Sequence, residues 1–261
     1  MTGYLSNIWR LRYFWMALVR NDLRNRYRRS IIGIGWSLLH PIAMTAVLCV
    51  VFSQLLKADD IRTYAPFLLS GLTFWGFITA VVMQGCQCFF HGESYIRQHP
   101  APLAIYPLRT TLGAGFHFLL GLGIAMVFVW CVKGPGNLPT LLSLLPTLAL
   151  LFIIGWSLAL CMGIANVMFQ DSQHLIEVVL QILFYVTPIL YKADMLRDKG
   201  LGWLVDYSPF AMLLELIQQP LLYGQLPSQW AMGVGALTGL AAVSIAAMML
   251  KTFEKQLIFY L

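Results

Sequence analysis

The chain has 261 residues, of which 59% are hydrophobic and 11% charged, and its formal net charge is +6. A soluble domain carries roughly 25% charged residues, so this composition excludes an ordinary soluble domain and points to an integral membrane protein. The basic balance calls for no nucleic acid, because anionic lipid headgroups attract the same charge.

In chain order, residues 4–29 read as an amphipathic interfacial helix. Ile8, Leu11, Trp15, Leu18, Val19 and Leu23 share one side of a helical wheel, and Arg20, Arg24 and Arg28 stack on the other. Such a helix lies in the headgroup plane. Arg12 and Arg26 interrupt the pattern, and a positively charged topogenic tail with no further role is the alternative. The first apolar run begins at Ser30 and is far longer than a signal-peptide core, so no cleavable signal is expected.

Charge-free runs cover 30–56, 63–92, 110–132, 134–170 and 216–250, with a shorter one at 178–191. A helix needs about 20 apolar residues to cross the hydrocarbon. The runs predict six transmembrane helices, near 33–56, 64–90, 110–132, 141–168, 175–191 and 229–250. The fifth reaches the required length only with Glu177 at the interface. Pro139, Pro146, Pro220 and Pro227 mark helix starts or breaks in the two runs too long for one span.

Between spans two and three lies the polar loop 91–109. A short helix around Glu93–Gln98, stopped by prolines, makes it a docking element or an ordinary connection. Between spans five and six, residues 192–228 mix charges with an apolar stretch from Pro209 to Ile217 and the aromatics Trp203, Tyr207, Phe210 and Tyr223. This region is too short and polar for a crossing pair, so short helices dipping back into the outer leaflet are expected. With both termini cytoplasmic, the inner segments hold eleven of the 17 Lys and Arg residues and the outer segments six, the bias expected of cytoplasmic loops. The whole chain reads as one membrane domain in the cytoplasmic membrane.

The missing chemistry is informative. No G-x-x-x-x-G-K-[ST], H-E-x-x-H or G-x-S-x-G motif occurs, so no nucleotide, zinc-protease or serine-hydrolase site is expected. Five cysteines without C-x-x-C spacing read as small packing residues rather than a disulfide or zinc framework. His117, within span three, reads as a packing or cavity residue. Few carboxylates fall near the membrane, which weakens an ion-driven mechanism and assigns the energy source to another polypeptide. The many aromatics, Trp75, Phe184, Tyr185 and Tyr191 among them, are interface belts or, alternatively, rings on which sugars stack.

The run Arg20-x-Asp22-Leu23-x-x-Arg26-Tyr27-x-x-Ser30-x-Ile32-Gly33-x-x-Trp36-x-x-x-x-Pro41 resembles the permease subunits of type-2 ABC exporters for polysaccharides, the O-antigen, capsule and teichoic-acid exporters. The resemblance continues through Asn166 to His174, Val179 to Tyr191 and Ser208-Pro209-Phe210. The chain departs from the family at Gln170, at Ser208 and in the form of its first cytoplasmic loop.

The resemblance implies a homodimer around a central channel, with two copies of a separate ATPase beneath. That ATPase binds ATP and Mg; this chain itself carries no cofactor, metal or catalytic residue. Loop 91–109 becomes a coupling helix contacting the ATPase through Glu93, Tyr95 and Arg97. The N-terminal helix contributes Arg20, Asp22 and Arg26, and Asp171 marks a second contact. Tyr185 and Tyr191, with Phe184 and Trp75, become candidates for glycan stacking in the channel. Trp203, Tyr207 and Phe210 belong to outer gate helices. The implied substrate is a lipid-linked polysaccharide. A type-2 exporter of a small amphiphile or drug, and a membrane-embedded transferase, are the alternatives.

Overall fold

The computed structural model describes residues 2–28, 30–55, 61–98, 101–134 and 136–260. The described residues are helical, with no strand among them. The order is α1 (Thr2–Arg10), α2 (Arg12–Tyr27), α3 (Gly35–Leu55), α4 (Ile61–Cys86), α5 (Glu93–Gln98), α6 (Ile105–Lys133), α7 (Leu138–Leu142), α8 (Leu144–Met168), α9 (Ser172–Val186), α10 (Ala193–Arg197), α11 (Trp203–Asp206), α12 (Pro209–Gln218) and α13 (Gln229–Tyr260). The sequence predicts one N-terminal helix over 4–29; the structure has two, broken at Leu11. Lys57, one of the six outer cations, and Arg29, one of the eleven inner ones, lie outside the described residues.

Among the described residues five helical segments are long and apolar enough to cross a membrane: α3, α4, α6, α7 with α8, and α13. They fall where the charge-free runs place five of the six spans. The remaining candidate, α9, has 15 residues and ends at Val186, short of the Tyr191 end predicted. Thr187 adopts an extended conformation, because the ring of Pro188 disfavours helix at the preceding residue.

The core is built around α4. Of its apolar window 72% is buried, against 11% for α3 and 17% for α13. It packs against α3, α6, α8, α9 and α12. The crossing with α8 is close because small residues face each other: a Cβ on Gly85 would stand 2.7 Å from Ala159 Cα, and one on Gly163 2.8 Å from Cys88 Sγ. Packing of this kind, rather than hydrophobic transfer, holds helices together in lipid.

Two bonds set α9 against α4. The Gln87 side chain, just past the end of α4, donates to the Gln173 side chain. At the other end the Tyr64 hydroxyl donates to the Leu190 carbonyl at 2.5 Å. The length of α4 between those bonds is about 35 Å at 1.5 Å per residue. α9 and the turn after it together cover the same rise, and Ile189 is fully buried against Gly71.

Despite its ten residues, α12 is an interior element, buried from Ala211 to Leu214 and from Leu216 to Gln218. Ser208 caps it by accepting from Ala211 N–H at 3.4 Å, with Pro209 in the first turn, the residue types a helix start favours. Gln218 Nε2 donates to the Phe67 carbonyl and Ser70 Oγ, both at 3.3 Å. The chain leaves α12 through a π-helical turn and Gly224, whose φ of 63° is the left-handed geometry glycine readily adopts.

Candidate functional site at the basic helix junction

The basic N-terminal segment is docked on the bundle. Ile8 is buried with Ala104, Ile105 and Leu108, and Tyr4, Phe14, Trp15 and Trp156 close over them. Trp15 Nε1 donates to the Ile8 carbonyl at 3.2 Å, bridging the break between α1 and α2. The Ala104 backbone is held twice, its N–H donating to Tyr4 Oη at 3.3 Å and its carbonyl accepting from Trp156 Nε1 at 3.0 Å. Burial raises the Tyr4 phenol above its ordinary pKa, so it stays a neutral donor and acceptor.

At the far end of α2 the polar residues converge. Asp22 accepts from Arg109 Nε and Nη2, one carboxylate oxygen for each nitrogen. Such a paired fork is among the stronger charge-assisted contacts. Ser37 Oγ lies 3.0 Å and Tyr27 Oη 3.3 Å from His117 Nδ1, and the two hydroxyls bond each other. One cluster therefore joins the end of α2, the start of α3 and the middle of α6. Between α2, the end of α4 and α6 lies a cavity of about 240 Å³ lined by Asp22, Arg26, His91, Arg109, Thr110 and His117, with others.

Sequence reasoning names Asp22 and Arg26 but misses Arg109 and gives His117 no partner. The available signal was that Asp22 is the only acid before Asp59 in a strongly cationic segment. Its partner lies 87 residues away, beyond any local pattern.

The predicted docking helix forms as α5. Ile96 anchors it in the core and Arg97 is exposed. Arg97 Nε donates to Glu93 Oε1 at 2.8 Å across one turn. Tyr95 packs edge-on against Phe14 of α2, ring centroids 6.0 Å apart, so α5 and α2 touch directly. His99 and Pro100 of the same loop lie outside the described residues. Arg20 is exposed on α2, and Asp171 is exposed at the start of α9. The turn holding Asp171 sits beside the α4 end through the Gln87–Gln173 bond, and Asn166 Nδ2 donates to the Cys86 carbonyl at 2.9 Å.

The other aromatic candidates separate in the structure. Trp75 is buried, its ring 6.0 Å from Phe184 and 5.7 Å from Phe210. Tyr191 donates its hydroxyl to the carbonyls of Tyr185 (2.8 Å) and Val186 (3.0 Å), closing the end of α9. Tyr185 itself is 61% exposed. Trp203 and Tyr207 are also exposed. Tyr207 stands edge-on to Trp230 at 6.4 Å. Arg197 ties this region together, Nη2 to Asp206 at 2.7 Å and Nη1 to Asp194 at 3.2 Å. The bond to Asp206 raises its pKa further above the usual guanidinium range. A second cavity of about 370 Å³ opens here beside Lys192, Glu215 and Gln218. Among the described residues no three His, Cys, Asp or Glu side chains converge to hold a metal ion.

Comparison with known proteins gives a consistent result. The chain is 25% identical over 215 residues to an O-antigen export system permease protein RfbA of Klebsiella pneumoniae, covering 81% of this chain and 79% of that protein. It is 25% identical over 248 residues to an RfbA of Myxococcus xanthus, covering 94% and 92%. It is 20% identical over 249 residues to the polysialic acid transport protein KpsM of Escherichia coli, covering 93% and 94%. The family model described as ABC-2 type transporter matches residues 13–222. With that match and five helical segments able to cross a membrane, this multi-pass membrane protein belongs to the ABC-2 type transporter family.

Proposed function

We propose that the chain is the channel-forming permease subunit of an ATP-driven exporter that moves a lipid-linked polysaccharide, O-antigen or similar, out across the cytoplasmic membrane. ATP and Mg bind a separate ATPase, two copies of which dock below a homodimer of this chain. The names of the relatives supply the substrate class. The observation that carries the mechanism is the setting of α5. It is anchored through Ile96, leaves Arg97 outward, and touches α2 through Tyr95 and Phe14. A push on α5 therefore reaches α2, and reaches α4 through the hydrogen-bonded turns at 87–92 that join them. The Gln87–Gln173 bond carries it on to α9.

In this reading α9 is a short sixth crossing. Its rise beside α4 supports that count; with six crossings both termini lie in the cytoplasm and α10 to α12 form the outer gate. Leu175, Val178, Val179, Ile182 and Tyr185 are exposed along α9, and α3 is almost unburied. These two helices offer apolar faces to a second copy and to the channel. Tyr185 presents its exposed ring for stacking on a glycan; Phe184 packs edge-on against it at 5.3 Å, Trp75 lies behind Phe184, and Tyr191 holds the Tyr185 carbonyl.

The test is a strain lacking this chain. Surface polysaccharide is lost, and full-length lipid-linked polymer accumulates in the inner leaflet. Restoring the wild-type chain restores export; an Arg97→Glu chain inserts but restores little. Normal surface polysaccharide in the deletion would refute the reading in favour of a small amphiphile. A polymer that is never made would refute it in favour of a membrane transferase.

A further inference from the structure

We infer that the 240 Å³ cavity between α2, α4 and α6 binds the phosphoryl group of a phosphate or pyrophosphate ester. Arg26, His91, Arg109 and His117 line it, and Asp22 is the only carboxylate among its lining residues. Asp22 occupies Nε and Nη2 of Arg109, whereas Nη1 is buried without a hydrogen-bond partner among the described residues. Leaving a buried donor on a charged group unmade is costly, and a guanidinium fork fits phosphoryl oxygens geometrically. Arg26, also on the cavity wall, contributes a second cation with no ion pair among the described residues. With His117 Nδ1 already engaged by Ser37 and Tyr27, the ring is held in orientation at the cavity wall. The volume falls below the range of about 300 to 1,000 Å³ that encloses a drug-sized ligand. It suits a small head group and not a sugar chain.

The inference rests on the exporter reading only for the placement of α2 in the inner headgroup layer. Two sources carry the same chemistry, a lipid phosphoryl head group entering from that layer and a soluble phosphate. The full-length chain in nanodiscs of neutral lipid is titrated with farnesyl pyrophosphate, inorganic pyrophosphate and farnesol, using calorimetry. Farnesyl pyrophosphate binds at least about tenfold tighter than farnesol, the difference one charge-assisted contact makes. Arg26→Gln weakens it by a similar factor, and Arg109→Gln by more. If inorganic pyrophosphate fails to bind, the source is a lipid head group; if it binds as well as the farnesyl ester, the source is a soluble phosphate.

Arg109→Gln also removes the partner of Asp22, so Arg26→Gln, which breaks no described ion pair, carries the decision should the first variant not fold. Farnesol binding as tightly as the pyrophosphate, or unchanged binding in Arg26→Gln, would overturn the inference. The titration contains no glycan and no ATP, so it can fail while the deletion phenotype stands, and the reverse.

Discussion

The pair of Asp22 and Arg109 holds α2 to α6 and is the most consequential single contact at the junction. Arg109 is largely buried, its side chain 16% exposed, while Asp22 is 40% exposed. Solvent therefore weakens the pair from the outer side, and its coupling energy is about 1 kcal/mol rather than that of a fully buried pair. Asp22→Asn and Arg109→Gln are each expected to lower the thermal midpoint of the purified chain. A double-mutant cycle gives a favourable coupling near that value. Equal and additive losses would show that the two side chains do not interact. Cys86, Cys88 and Cys161, read from sequence as packing residues, lie buried in or beside the α4–α8 crossing, where a larger side chain would separate the helices.

At the scale of elements, α4 and α8 approach backbone to backbone at Gly85. An added methyl there meets backbone, the Ala159 Cα at 2.7 Å, whereas at Gly76 on the same helix nothing lies within 4 Å. Gly85→Ala is expected to destabilise the domain by about 1–3 kcal/mol, the usual cost of overpacking, and Gly76→Ala to leave it unchanged. Thermal unfolding of the two variants side by side measures the difference; equal midpoints would refute the close crossing. Five long helices were legible in the sequence because lipid tolerates few charges, so charge-free runs mark them. The end of α9 was legible only in part: hydropathy runs on to Tyr191, but the backbone preference before Pro188 stops the helix at Val186. The interior position of α12 was not legible. An apolar decapeptide can equally lie on a membrane surface, and only the packing of α4, α8 and α13 around it decides.

For the whole molecule, the parts named as contacts from sequence gather at one end. α5, with Glu93 and Arg97 on its exposed side, touches through Tyr95 the helix α2 that carries Arg20, Asp22 and Arg26, and the Asp171 turn is tied in beside α4. Trp203 and Tyr207, proposed for the outer gate, and the α12 helix sit around the opposite, Tyr64 end of α4. That polarity suits a device driven from one side and releasing on the other. Local sequence could show which residues are basic or aromatic, but not that α4 is the rod joining both ends. The proposed activity is ATP-driven movement of a lipid-linked polysaccharide by this chain with a separate ATPase. The most direct measurement reconstitutes both in vesicles with the ATPase facing outward and a labelled lipid-linked glycan in the outer leaflet. Protection of the glycan from an added, membrane-impermeant glycosidase is then followed. Protection is expected to grow with ATP, to require this chain, and to be abolished by Arg97→Glu. Protection that appears equally without ATP or without the chain would contradict it.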